Sequence, residues 1–205
     1  MKKHQHNLKE MQQQQLSRTV EYLDSPERIK AFPPKELLQM LPIKKTDNVL
    51  DLGAGTGYLA LTAAQMVDGL VYALDMNPNM LEIIESKAQD ENITNIQLVK
   101  GSIDDIPLSD NSINIVLASL VLHEVNPLSK TIQQIKRVLK EDGYFLCLEF
   151  EKTESATDGP PMHIRIPSAI MEKELINAGF NIVQKVFPSE SMYIIVAQKT
   201  VDVHY

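Results

Sequence analysis

The 205-residue chain has one cysteine and no tryptophan, and aromatic residues make up only 5% of it. A lone thiol excludes an internal disulfide and a zinc ribbon, both of which need several cysteines. Long apolar runs are also missing. The longest, around Ile115 to Leu122, falls far short of the roughly 20 residues that cross a bilayer. Met1 to Gln15 is polar and lacks the apolar centre of a secretory signal. Basic residues are in deficit: 20 Lys and Arg stand against 27 Asp and Glu, a net charge of −7. That balance argues against nucleic acid as the ligand. No Asp, His or Cys grouping has metal-ligand spacing, and His4 and His6 stand isolated in the polar terminus, so no metal is expected. What is present is a 43% hydrophobic complement, enough for one well-formed core. A single-domain, cytoplasmic protein without a membrane span is the expectation.

Strands and helices alternate. Short apolar or β-branched runs at 48–52, 70–74, 96–99, 113–118 and 144–150 predict five strands. Between them, Leu59, Ala60, Ala63, Ala64 and Val67, then Leu81, Ile84 and Ala88, then Leu128, Ile132, Ile135 and Leu139 fall at helical spacing. Asn77-Pro78 and Asn126-Pro127 read as helix starts, Asn capping and Pro at the first helical position. Glu141-Asp142-Gly143 predicts a turn, and Met171, Leu175 and Ala178 a last helix ended by Gly179. Two final strands, near 182–187 and 193–198, are joined by too short a turn for a crossover, so the last runs antiparallel. The fold class is α/β: a three-layer sandwich around a seven-stranded, mostly parallel sheet. Ahead of it, residues 1–45 predict a helix followed by a loop through 24–28. The expected division is a helical lid or cap over 1–45, a ligand-binding core over 46–150, and a C-terminal helix with antiparallel hairpin over 151–205.

The informative segment is Asp51-Leu52-Gly53-Ala54-Gly55-Thr56-Gly57, where the first strand turns into a helix. Open α/β sheets bind ligands at such a place, and glycine lets the backbone approach them closely. A dinucleotide fingerprint would need glycine at 58, which is tyrosine, and a phosphate loop would need a Gly-Lys-Ser or Gly-Lys-Thr that is absent. Asp51 would repel a pyrophosphate and suits a cationic ligand. Asp75, closing the second strand, is placed to accept hydrogen bonds from a ribose diol. A ribose, an ammonium group and no phosphate together describe S-adenosylmethionine.

Val49-Leu50-Asp51-Leu52-Gly53-Ala54-Gly55-Thr56-Gly57 resembles the first motif of class I S-adenosylmethionine-dependent methyltransferases, most closely the small-molecule, ubiquinone/menaquinone-biosynthesis type. The resemblance runs from about Asn48 to Glu149 and implies a Rossmann-like fold. It implies that Gly53, Gly55 and Gly57 line the methionine part, that Asp75 grips the ribose hydroxyls, and that Met76 packs on the adenine with Ile103 opposite. The third motif departs from the family: Ser102 stands where an aspartate is usual. Ala118 to Val125 resembles the fourth-strand end, where the cofactor's methionine end meets the acceptor.

A sulfonium methyl is already activated, so transfer needs mainly alignment, with a base only where the acceptor must lose a proton. His123 and Glu124 are the nearest titratable pair. His163 and Arg165 lie on the excursion that covers the acceptor pocket in similar enzymes, and Tyr22 and Arg28 on the segment that forms their lid. Cys147, mid-strand, reads as an inert buried thiol. The resemblance implies methyl transfer from S-adenosylmethionine to a small-molecule acceptor, leaving S-adenosylhomocysteine, by a monomer or homodimer. Alternatives are a cofactor-binding module without turnover or a partner subunit and, further off, a protein or RNA methyltransferase or a nicotinamide oxidoreductase.

Overall fold

The computed structural model describes residues 2–153 and 159–200. A seven-stranded sheet has the spatial order β3-β2-β1-β4-β5-β7-β6. Its strands are β1 (Val49–Leu52), β2 (Val71–Asp75), β3 (Ile96–Lys100), β4 (Ile113–Ser119), β5 (Leu139–Phe150), β6 (Phe180–Ser189) and β7 (Met192–Lys199). The pairs among β1 to β5 are parallel, and β7 runs antiparallel to both β5 and β6. The expected α/β class and reversed last strand are therefore observed.

Among the described residues, seven α-helices accompany the sheet: α1 (Lys2–Leu23), α2 (Pro26–Ala31), α3 (Pro34–Gln39), α4 (Ala60–Met66), α5 (Pro78–Asp90), α6 (Leu128–Val138) and α7 (Ser168–Asn177). Side chains alternate across the sheet, as the two-residue period of a strand requires. Val49, Val71, Ala73 and Leu117 pack with the apolar faces of α3, α4 and α5. Leu50, Leu52, Val116 and Phe145 pack on the other side with α6 and α7. No helix among the described residues is long and apolar enough to cross a membrane.

Three local expectations change. The loop through 24–28 shrinks, because Ser25 caps α2 by accepting the Arg28 amide and Pro26 opens the helix. Asn77 does cap α5, accepting the Asn79 amide, but α6 starts one residue later than its Asn-Pro suggests, with Pro127 at the cap position. Glu141-Asp142-Gly143 is a bulge inside β5 rather than a turn before it, since Leu139 pairs Ile113 and Tyr144 pairs Ile115. Asp142 absorbs the distortion at φ 61°.

Chain order reverses at β1, which has β2 on one side and β4 on the other. The connections that leave the carboxyl ends of adjacent β1 and β4 run to opposite sides, to β2 and to β5, opening a crevice between them.

Candidate active site

A cavity of about 740 Å³ occupies that crevice. Gly53 and Gly55 form its floor at φ +63° and +54°, conformations that cost other residues free energy. A Cβ on Gly53 would lie 2.5 Å from Val121 Cγ2, so this glycine lets the β1 turn pass under the β4 turn. Gly57, at φ +89°, faces Leu61 and Ile84 instead and serves helix packing.

Asp51 lines the cavity at 3% exposure, and one of its oxygens accepts the Ala60 amide at 3.0 Å. Burial pushes its pKa up to about 7; the Ala60 hydrogen bond opposes this, the Asp75 charge adds to it, and the Arg28 charge opposes it. Asp75 accepts the Gly55 amide at 2.9 Å on one oxygen and the Asn77 amide at 2.8 Å on the other. It holds the glycine turn in place while still facing the cavity. Met76 (68% exposed) and buried Ile103 supply apolar walls. Ser102 also lines the cavity and accepts the Asp104 amide at 3.2 Å, while Asp104 is engaged by the Thr131 hydroxyl. Ala118 is fully buried in β4 and is not a lining residue.

Residues that the sequence reading passed over complete the site. Ser119 Oγ and Tyr58 Oη are buried on the cavity wall with no hydrogen-bond partner among the described residues. Burial raises the Tyr58 pKa to about 12, against the nearby Arg28 charge and with the Asp51 charge. His123 lies on a 3-10 turn (Leu122–Glu124) after β4 and, with Glu124, lines the cavity. Glu149, fully buried at the end of β5, brings both oxygens to His123 Nδ1, at 3.0 and 2.9 Å. Burial disfavours the imidazolium, but the Glu149 hydrogen bond and charge, helped by Glu124, outweigh burial and the Arg165 charge. The His123 pKa therefore lies above its ordinary 6.5. Burial also raises Glu149, with His123 and the Phe150 and Leu122 amides pulling it back only in part. One charged residue in the apolar run Phe145 to Phe150 was the available signal for Glu149. Burial, with the Glu149 charge adding to it, holds the Cys147 thiol well above its usual pKa, in keeping with an inert role.

The N-terminal segment closes one side. Thr19, Tyr22, Leu23 and Arg28 line the cavity, and the Arg28 guanidinium stacks 4.6 Å from the Tyr58 ring centre. Asp24 ties this segment down: it accepts the Thr56 hydroxyl at 2.6 Å and Lys87 Nζ at 2.8 and 3.0 Å. Lys87 also donates to the Thr56 carbonyl. No sequence pattern signals a contact 63 residues apart. Phe150, which ends β5, reaches the cavity, as do Gly159 and Pro160 from the excursion after it. Arg165 is buried behind them and donates to the Pro160 carbonyl at 2.9 Å, and His163 is exposed; neither lines the cavity. Residues 154–158 of the excursion lie outside the described residues. Among the described residues no group of three or more His, Cys, Asp or Glu could hold a metal.

These residues fit S-adenosylmethionine by their chemistry. The unpartnered Ser119 hydroxyl and the buried Asp51 carboxyl suit an ammonium group, Asp75 a diol, and Met76 with Ile103 a flat heterocycle. A doubly wound sheet with a reversed seventh strand, carrying such a crevice and no phosphate-binding lysine, is the class I S-adenosylmethionine-dependent methyltransferase architecture. The chain belongs to the methyltransferase-domain family, whose sequence profile matches residues 43–196.

Relatives agree. Over 131 residues the chain is 30% identical to the uncharacterized methyltransferase YcgJ of Bacillus subtilis (strain 168), covering 62% of this chain and 51% of that protein. Over 121 residues it is 36% identical to the ubiquinone/menaquinone biosynthesis C-methyltransferase UbiE of Francisella tularensis subsp. novicida (strain U112), covering 58% and 48%. The chain thus spans about half the length of these curated relatives. A SAM dependent methyltransferase from Aquifex aeolicus superposes with a TM-score of 0.79 at 26% identity, over 87% of this chain and 96% of that one. The [4+2]-cyclase SpnF superposes at 0.75 with 18% identity, over 83% and 82%, and shares the fold.

Proposed function

We propose that the chain transfers the methyl group of S-adenosylmethionine to a small-molecule acceptor by in-line displacement. The observation that carries this is a single cavity running from Asp75, Met76 and Ile103, across the Gly53–Gly55 turn, to Ser119 and His123. Bound there, S-adenosylmethionine supplies a methyl group already activated on a sulfonium. The protein's part is to hold and align. Asp75 keeps a lone pair on each oxygen for ribose hydroxyls while its amide bonds hold the turn in shape. Asp51 and Ser119 receive the ammonium end. Ser102, next to Ile103, faces the heterocycle. Residues 1–45 act as a lid whose latch is Asp24, residues 46–150 as the cofactor core, and 151–205 as the closing unit of the acceptor side. Tyr22, Arg28, His123, Glu124, Phe150 and Pro160 face the acceptor, and Arg165 acts by fixing Pro160. His163 is exposed on that excursion. Relatives named as ubiquinone/menaquinone biosynthesis C-methyltransferases support a small acceptor, and the acidic, single-cysteine composition supports action in the cytoplasm.

Thermal unfolding with S-adenosylhomocysteine tests the binding half. At 100 times its dissociation constant, a ligand adds about 2.7 kcal/mol of stability, a readily measured shift. Mass-spectrometric detection of S-adenosylhomocysteine formed from S-adenosylmethionine over a panel of small acceptors tests the transfer half. No stabilisation at millimolar concentration refutes the proposal.

A further inference from the structure

Resting on that reading, we propose that His123 accepts a proton during the reaction, with Glu149 as its positioning residue, and that the acceptor's nucleophile bears an acidic O–H or C–H. Glu149 is fully buried in an otherwise apolar stretch of β5, and sealing a carboxylate from water is costly unless it is paired. Both of its oxygens converge on one atom, His123 Nδ1. The Phe150 and Leu122 amides add to the support of its charged form. Nδ1 therefore carries the proton, and Nε2 is left bare above the imidazole's pKa. Nε2 has no hydrogen-bond partner among the described residues, and the ring stands on the cavity wall. The Phe150 ring meets it edge-on at 5.9 Å and 76°, fixing its plane. A pair needed only to join β4 to β5 has no reason to present its second nitrogen to a ligand cavity.

The surroundings match the role. Leu120, Val121, Val125, Phe150 and Pro160 make this end of the cavity apolar, which suits an unsaturated or aromatic body with one acidic hydrogen. As the acceptor's electron pair forms its bond to the methyl carbon, the acceptor's proton passes to Nε2, and the electrons of the broken carbon–sulfur bond remain on sulfur. The positive charge thus leaves the sulfonium and reappears on the imidazolium, beside Glu149. The charged groups facing His123 are Glu149 from β5, Glu124 from its own turn and Arg165 from the segment before α7. Two of the three favour that product state.

The test uses the 205-residue chain, labelled with 15N at histidine and saturated with S-adenosylhomocysteine. Ring nitrogens are followed by NMR from pH 5 to 9, with His123→Asn for assignment. Expected are a proton on Nδ1, a bare Nε2 and a pKa above 6.5, falling by at least one unit in Glu149→Gln. Glu149→Asp, which keeps the charge, restores part of the shift. The wild-type tautomer needs no variant to fold. Turnover is then measured on 2-naphthol, catechol and acetylacetone as O–H and C–H acids and on benzylamine as an amine. Consumption of an acid acceptor, with an acid limb that moves to lower pH in Glu149→Gln, supports the proposal. A proton on Nε2, a His123 pKa that Glu149→Gln leaves unchanged, or preferred methylation of benzylamine overturns it. Failure of the wild type to bind S-adenosylhomocysteine would instead remove the underlying methyltransferase reading.

Discussion

Replacing Asp51 with asparagine separates what the site costs from what it does. Asp51 ionises near 3.8 in an unfolded chain and, through burial, at about 7 in the folded one. Between those values the unfolded state sheds a proton that the folded state keeps. Stability from this group is therefore fully present below about pH 4 and lost as pH rises to about 7. At about 1.4 kcal/mol per pH unit, the gap from 3.8 to about 7 amounts to about 4 kcal/mol. Asparagine has no proton to lose, and its carbonyl can still accept the Ala60 amide. Asp51→Asn should match the wild type near pH 4 and exceed it by up to about 4 kcal/mol at pH 8. Its affinity for S-adenosylhomocysteine should fall at least ~10-fold, because a charge-assisted hydrogen bond to the ammonium is lost. Urea unfolding of the ligand-free protein at pH 4.5, 6, 7 and 8 reads the first effect, and calorimetry the second. A stability difference that does not change with pH would refute the buried titration, and full affinity would refute the ammonium assignment.

Asp75→Ala should weaken S-adenosylhomocysteine by more than ~1 kcal/mol and also destabilise the free protein by about 2 kcal/mol, because the Gly55 and Asn77 amides lose a charged acceptor; calorimetry and urea unfolding check the two parts. Asp24→Asn should change stability by less than about 1 kcal/mol, since the Lys87 pair is about one-third exposed, yet speed cofactor release in stopped-flow experiments, and an unchanged off-rate would retire the latch. Gly53→Ala places a methyl 2.5 Å from Val121 Cγ2 at φ +63° and should cost about 1–3 kcal/mol, read as a fall in melting temperature.

What the sequence made legible follows from range. Asp51, the glycine turn and Asp75 were readable because strand end, turn and helix start are contiguous, and the apolar runs of β1, β2 and β4 mark buried parallel strands. Contacts between distant segments left no local trace: His123 and Glu149 are 26 residues apart, Asp24 and Lys87 63. The place of β7 between β5 and β6 was also not foreseen, although side chains hint at it. Met192 to Ala197 are all buried, as a central strand's are, whereas β6 exposes Asn181, Val183 and Gln184 like an edge. The bulge in β5 escaped because Glu141-Asp142-Gly143 has turn chemistry whether it ends a strand or interrupts one.

Asp51 and Glu149 stand at the carboxyl ends of β1 and β5, 3% and 0% exposed. A sheet that only had to fold would place apolar side chains there, as it does at the neighbouring Leu52 and Leu148. Each carboxylate is costly to bury, and each has a cation to relieve it: for Glu149 the His123 ring, which stands between it and the cavity, and for Asp51, which lines the cavity itself, a ligand ammonium. The cost sits where a ligand can return it. If S-adenosylhomocysteine sets its ammonium against Asp51, the carboxylate pKa falls back toward 3.8 in the complex. Binding then releases a proton below about pH 7, so affinity should rise between pH 5.5 and pH 8, while the ligand-free protein loses stability over the same interval. Calorimetry at both pH values, in two buffers of different ionisation enthalpy, counts the proton directly. Equal affinity at the two values, with no proton released, would place the ammonium elsewhere and leave Asp51 as a cost without a partner.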